Sequence, residues 1–104
     1  MILHCVFFSF RQDVAPEARH DILQELARFS QTLDGVLSFD CGPNRDFEKK
    51  SQSYDSGFVI RFTTREALDT YAVHPTHQAL GQQLCDLVQG GAEGIIVFDL
   101  DTAA

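Results

Sequence analysis

Ile2-Leu3-His4-Cys5-Val6-Phe7-Phe8-Ser9-Phe10 is the stretch on which the fold turns. It is rich in β-branched and aromatic residues and reads as a strand. Side chains alternate across a strand, so Ile2, His4, Val6, Phe8 and Phe10 share one face, and Leu3, Cys5, Phe7 and Ser9 the other. Both faces are largely apolar, so both need cover.

The segments downstream of this strand set how that cover can be built. Residues 16–33 read as a helix, with Pro16 suited to the first turn, Glu17 at the positive end of the dipole and Gly35 as a stop. Ala18, Ile22, Leu26, Phe29 and Leu33 recur at steps of three and four and form its apolar stripe. Residues 36–42 read as a second strand, 43–53 as a polar loop, and 54–62 as a third strand with Phe58, Ile60 and Phe62 on one face. Gly57 marks a bulge or a close backbone approach. Thr63 and Glu66 have the spacing of a capping box that opens a short helix. His74-Pro75 interrupts it, and Pro75 begins a further helix to about residue 89. Gly90, Gly91 and Gly94 end that helix, residues 95–100 form a last strand, and the tail at 102–104 is expected to be loose.

The order β-α-β-β-α-β, with its second helix split, predicts an α+β, ferredoxin-like subunit: a four-stranded antiparallel sheet with the helices on one face. The other face would present Leu3, Cys5, Phe7 and Ile96 or Val97 to water. Burying one such side chain is worth roughly 1.5–3 kcal/mol, so leaving four or five bare forfeits on the order of 10 kcal/mol. That rivals the stability of a whole domain. A second copy packed sheet to sheet is the expected cover, giving a homodimer through the open sheet face.

The bulk properties fit this picture. The 104 residues suit one domain, taken as 1–104. Hydrophobic residues make up 44% of the chain and charged residues 22%, a globular composition. Fifteen acidic against eight basic side chains give a net charge of −7, which argues against nucleic acid and anionic membranes as partners. Three cysteines at long spacings form neither a disulfide framework nor a zinc motif. Cys5 and Cys41 lie in apolar runs and are expected as reduced core residues of a cytoplasmic protein. The first residues lack the charged and apolar regions of a signal peptide, and no segment is apolar enough to span a membrane.

Chemistry concentrates in Tyr71-Ala72-Val73-His74-Pro75-Thr76-His77. Tyr71 follows Leu68 on the inward face of the short helix, His77 is on the apolar stripe of the next one, and His4 is on the strand face of Val6 and Phe8. Three titratable groups thus converge on the interior between sheet and helices, an expected apolar pocket whose walls include Phe58. A buried neutral imidazole can take a proton near neutral pH. A tyrosine hydroxyl beside it can donate to a carbonyl or enolate oxygen. The pair suits proton abstraction beside a carbonyl. His74 and His77 have metal-ligand spacing but no acidic third ligand on the same turn, so no metal is expected. The bland reading is that His74 caps a helix while Tyr71, His77 and His4 fill the core.

Four segments carry a family resemblance. They are Ile2-x-His4-x-Val6-x-Phe8-x-Phe10, Tyr54-Asp55-x-Gly57-Phe58-Val59-x-x-Phe62, Ala67-Leu68-x-x-Tyr71-x-x-His74-Pro75-x-His77 and Val97-x-Asp99. Together they resemble the stress-responsive A/B barrel (Dabb) domain over essentially the whole chain, most specifically at Tyr-x-x-His-Pro-x-His. The resemblance implies a dimeric α+β barrel. One plant member, olivetolic acid cyclase, closes a linear polyketide without a cofactor through a tyrosine and a histidine. These fall on Tyr71 and His77, with a strand histidine on His4. A further histidine of that enzyme falls on Ser56 here, and Gly57 and Phe58 change the lining. The resemblance therefore implies two alternatives. One is a cofactor-independent lyase or cyclase acting on a small apolar carbonyl compound, with Tyr71 and His77 catalytic and His4, His74, Val6, Phe8 and Phe58 lining or orienting. The other is a non-catalytic stress-responsive binding module.

Overall fold

The computed structural model describes residues 1–103. Its elements are β1 (Ile2–Phe8), α1 (Pro16–Ser30), β2 (Val36–Pro43), β3 (Ser56–Phe62), α2 (Arg65–Val73), α3 (Pro75–Leu87), a 3₁₀ turn (Gly91–Gly94) and β4 (Ile96–Asp101). The sheet order is β2-β3-β1-β4, every neighbouring pair antiparallel. This is the ferredoxin-like arrangement expected from the element order.

Register decides which face each side chain takes. His4 is opposite Ile60 and Asp99, and Val6 opposite Phe58 and Val97. The helix-covered face therefore holds His4, Val6, Phe8, Phe58, Ile60 and Phe62. These strand residues, His4 apart, close the core with Ile22 and Leu26 of α1, Tyr71 of α2, and Leu80 and Leu84 of α3. The other face carries Leu3, Cys5 and Phe7 of β1, Val59 and Arg61 of β3, and Ile96, Phe98 and Leu100 of β4. Phe98 and Leu100 are each 51% exposed. Of the two residues expected on this side, Ile96 is there, opposite Phe7, whereas Val97 is on the helix side.

Several local expectations shift by a residue or two. The predicted cap Thr63 instead donates its backbone N–H to Gly35 O, extending the sheet region past Phe62. Thr64 caps α2, its Oγ1 accepting from Ala67 N–H at 3.2 Å, so Glu66 completes no capping box. Helix α1 stops at Ser30, whose buried hydroxyl donates to Ala27 O at 2.9 Å. The bulge falls between Val36 and Ser38 rather than at Gly57. Gly57 is instead the close approach: a Cβ there would lie 2.5 Å from Phe7 Cδ1 and 2.9 Å from Val6 O. Cys41, expected in the core, is exposed on edge strand β2, and Cys5 is half-buried on the open face; all three thiols are free. No helix among the described residues is long and apolar enough to cross a membrane.

Candidate functional site

The split between α2 and α3 builds the site. Pro75 cannot continue α2, and the residue before it is held extended, so His74 ends one helix and caps the next. His74 Nδ1 accepts from Thr76 N–H at 3.1 Å. The break turns the chain so that His77, in the first turns of α3, faces Tyr71 near the end of α2. Their ring centroids are 4.2 Å apart. His77 Nδ1–H donates to Ala72 O at 3.0 Å. A carbonyl accepts only, so this bond fixes the tautomer and leaves Nε2 with its lone pair.

The sheet supplies the third member. His4 meets Tyr71 edge-on at 6.1 Å and Phe62 at 6.2 Å. Its Nδ1 is bonded to Asp99 Oδ1 at 2.6 Å, so here too the distal nitrogen is the one turned to other work. Tyr71 is 1% exposed, packed between Phe62 at 5.4 Å and Phe29 at 6.1 Å. Phe29 also approaches His74 at 4.8 Å.

Burial shapes the electrostatics. Desolvation raises the Tyr71 hydroxyl far above its ordinary range, so it remains a proton donor at any physiological pH. His77 is pushed below the usual imidazole value, first by desolvation and then by the neighbouring His4 and His74, against the Ala72 bond that favours the charged form. A neutral imidazole beside a protonated phenol can remove a proton at one atom while a hydrogen bond stabilises negative charge at another. No group of three or more His, Cys, Asp or Glu side chains placed to hold a metal is present among the described residues.

The structure thus brings together Tyr71, His77 and His4, with His74 behind Phe29. Val6 is the next inward residue of β1, opposite Phe58. Phe8 is four residues from His4, about 13 Å along the strand. Its ring neighbours are Phe10 at 5.1 Å and Phe58 at 6.2 Å, so Phe8 and Phe58 close the far end of the core. Sequence reasoning put Phe62 and Phe29 on apolar faces and Asp99 in a family segment but gave none of the three a place in the site. An acidic residue in the otherwise apolar run Ile95–Leu100 was the available signal for Asp99. Two concavities stand out on the surface, and neither is in the helix–sheet layer where the sequence expects a pocket. The larger, about 900 Å³, lies on the open side of the sheet beneath the loop between β2 and β3.

A four-stranded antiparallel sheet with its helices on one face and an apolar open face defines the ferredoxin-like α+β class. The chain belongs to the stress responsive A/B barrel domain family, whose model matches residues 2–102. It is 24% identical over 98 residues to the stress-response A/B barrel domain-containing protein HS1 of Arabidopsis thaliana, spanning 94% of this chain and 86% of that protein. Among solved structures it is similar to a dimeric ferredoxin-like protein of unknown function from Jannaschia sp., 40% identical, with a TM-score of 0.89 over 97% of this chain and 98% of that one. It also shares the fold of the hydroxynitrile lyase from Passiflora edulis, at 10% identity and a TM-score of 0.79 over 98% and 93% of the two chains.

Proposed function

We propose that residues 1–104 form one domain that works as a homodimeric, cofactor-independent lyase or cyclase on a small carbonyl-bearing, polyketide-like molecule. The observation that carries this reading is the Tyr71–His77 pair, 4.2 Å between centroids, with His77 Nδ1 tied to Ala72 O. His77 Nε2 takes the proton next to the substrate carbonyl. The electron pair of the broken C–H bond moves into the enolate, whose oxygen accepts a hydrogen bond from the Tyr71 hydroxyl. In the cyclising direction the enolate carbon attacks a second carbonyl of the same molecule. As the new carbon–carbon bond forms, that carbonyl's π pair becomes an alkoxide, which takes the proton back from the imidazolium. Cleavage is the reverse, His77 taking the hydroxyl proton as the carbon–carbon bond breaks into a carbonyl and an enolate. His4, anchored by Asp99, orients the substrate. Val97, two residues before Asp99 on the same strand face, and Val73, next to His74, are exposed apolar side chains suited to a substrate's hydrocarbon part.

Dimer formation is supported by the apolar open face and by the dimeric state described for the Jannaschia protein. The three free thiols support a reducing compartment such as the cytoplasm. A second reading, a non-catalytic binding module, is favoured by the dense packing of Tyr71 and by the large concavity on the opposite side of the sheet. Turnover on a panel of linear polyketide analogues and cyanohydrins separates the two. The enzyme reading expects activity that falls at least 100-fold in His77→Ala. No turnover anywhere, with no ligand-induced rise in melting temperature, supports the binding module.

A further inference from the structure

The connection from β2 to β3 is a built arm. Asn44 Nδ2 donates to Ser51 Oγ at 2.8 Å and to Tyr54 O at 2.7 Å. Asp46 Oδ1 accepts from the backbone N–H groups of Lys50 and Ser51 at 2.9 and 3.0 Å. These bonds, that of Ser51 first, hold its carboxyl below the usual range. Ser9 Oγ anchors the base of the arm by donating to Ser53 O at 2.6 Å. At its tip Phe47 is 91% exposed. Between arm and sheet runs the groove of about 900 Å³, floored by Phe7, Ile96 and Phe98 and walled by Pro43, Phe47 and Tyr54. An ordered loop that holds a phenylalanine in water above an apolar groove lacks a contact surface.

We infer that the arm is a clasp for a second copy of this chain: Phe47 of each protomer packs against its partner, and the groove beneath the arm receives part of the partner's apolar sheet face. This rests on the homodimer reading. Two observations single out a second copy. The groove floor is continuous with the proposed dimer face, because Phe7, Ile96 and Phe98 belong to both. The charges also match. Residues 44–53 hold three of the eight basic side chains, Arg45, Lys49 and Lys50, while thirteen acidic and five basic side chains remain outside that segment. With Asp46 and Glu48 counted the arm is net +1 and the rest of each copy net −8, so the arm and a second copy carry opposite net charge. Two-fold symmetry makes each clasp count twice, so a change at Phe47 acts at two places in the assembly.

The test is a dilution series followed by analytical ultracentrifugation for the wild type, Phe47→Asp, Phe47→Leu and Phe7→Asp. Phe47→Asp is expected to raise the dimer dissociation constant at least 100-fold, with far-UV circular dichroism unchanged because Phe47 contributes nothing to its own core. Phe47→Leu is expected to stay within about tenfold of the wild type. Wild-type affinity in Phe47→Asp, together with dissociation in Phe7→Asp, overturns the clasp and leaves the sheet-face dimer standing. A wild type that is monomeric throughout overturns both. Wild-type affinity accompanied by loss of 8-anilinonaphthalene-1-sulfonate fluorescence in Phe47→Asp would assign the groove to a small apolar ligand and also overturn the clasp.

Discussion

Phe7→Asp is expected to dissociate the proposed homodimer. Phe7 lies mid-sheet on the open face, between Gly57 of β3 and Ile96 of β4. Leu3, Cys5, Val59, Phe98 and Leu100 share that face. An aspartate here would bury a carboxylate in a largely apolar interface, four positions along β1 from the level of Arg61, at about 3–5 kcal/mol. Lost burial of the phenylalanine adds about 1.5–3 kcal/mol. Two-fold symmetry applies both terms twice. If water entering the interface relieves half of the total, roughly 4.5–8 kcal/mol remains, on the order of 10³- to 10⁶-fold in dissociation constant. Sedimentation equilibrium over a wide dilution range reads this directly, with circular dichroism to check that the monomer stays folded. A folded Phe7→Asp protein whose dissociation constant stays within tenfold of the wild type would refute the assignment of the face.

Gly57→Ala should lower stability by about 1–3 kcal/mol in urea unfolding, because the new Cβ meets Val6 O at 2.9 Å and a backbone carbonyl cannot swing aside; an unchanged midpoint would contradict the close approach. Tyr71→Ala should cost about 3–5 kcal/mol, since the ring is fully packed. Tyr71→Phe should cost under about 1.5 kcal/mol, so it isolates the hydroxyl's chemical role from its packing. His77 also links stability to pH. Its folded value is depressed below the 6.5 of the free ring, so between the two the unfolded chain binds more protons. Stability should therefore fall as pH drops below about 6.5 and level off under the folded value, and His77→Gln should remove that part of the slope in melting curves. A slope that is the same in both proteins would count against a depressed His77.

Much of this architecture could be read along the chain because the patterns concerned are local. The double-sided apolar alternation of residues 2–10 implied a sheet with one face needing a partner. Tyr71, inward after Leu68, and His77, on the apolar stripe of the next helix, implied two side chains converging on one interior. What escaped was set by register and edge position. His4 and Asp99 are 95 residues apart and meet only through the β1–β4 pairing. Cys41 looked inward by composition, but β2 is an edge strand and its far end is exposed. Thr63 and Thr64 are both competent caps, and the Thr63 N–H bond to Gly35 O decided between them. The stand-off of the 44–55 arm from the sheet, which leaves the concavity on the open side, has no periodic trace in the sequence.

Acid–base chemistry at this site stands or falls on the state of His77, which can be read without a substrate. A ¹⁵N-edited imidazole titration by NMR, with His77→Gln to assign the resonances, reports both tautomer and protonation. A general base of the kind proposed requires a neutral ring at pH 7 with the proton on Nδ1, a bare Nε2, and titration below 6.5. A proton on Nε2 in the neutral ring, or titration above 6.5, would contradict it.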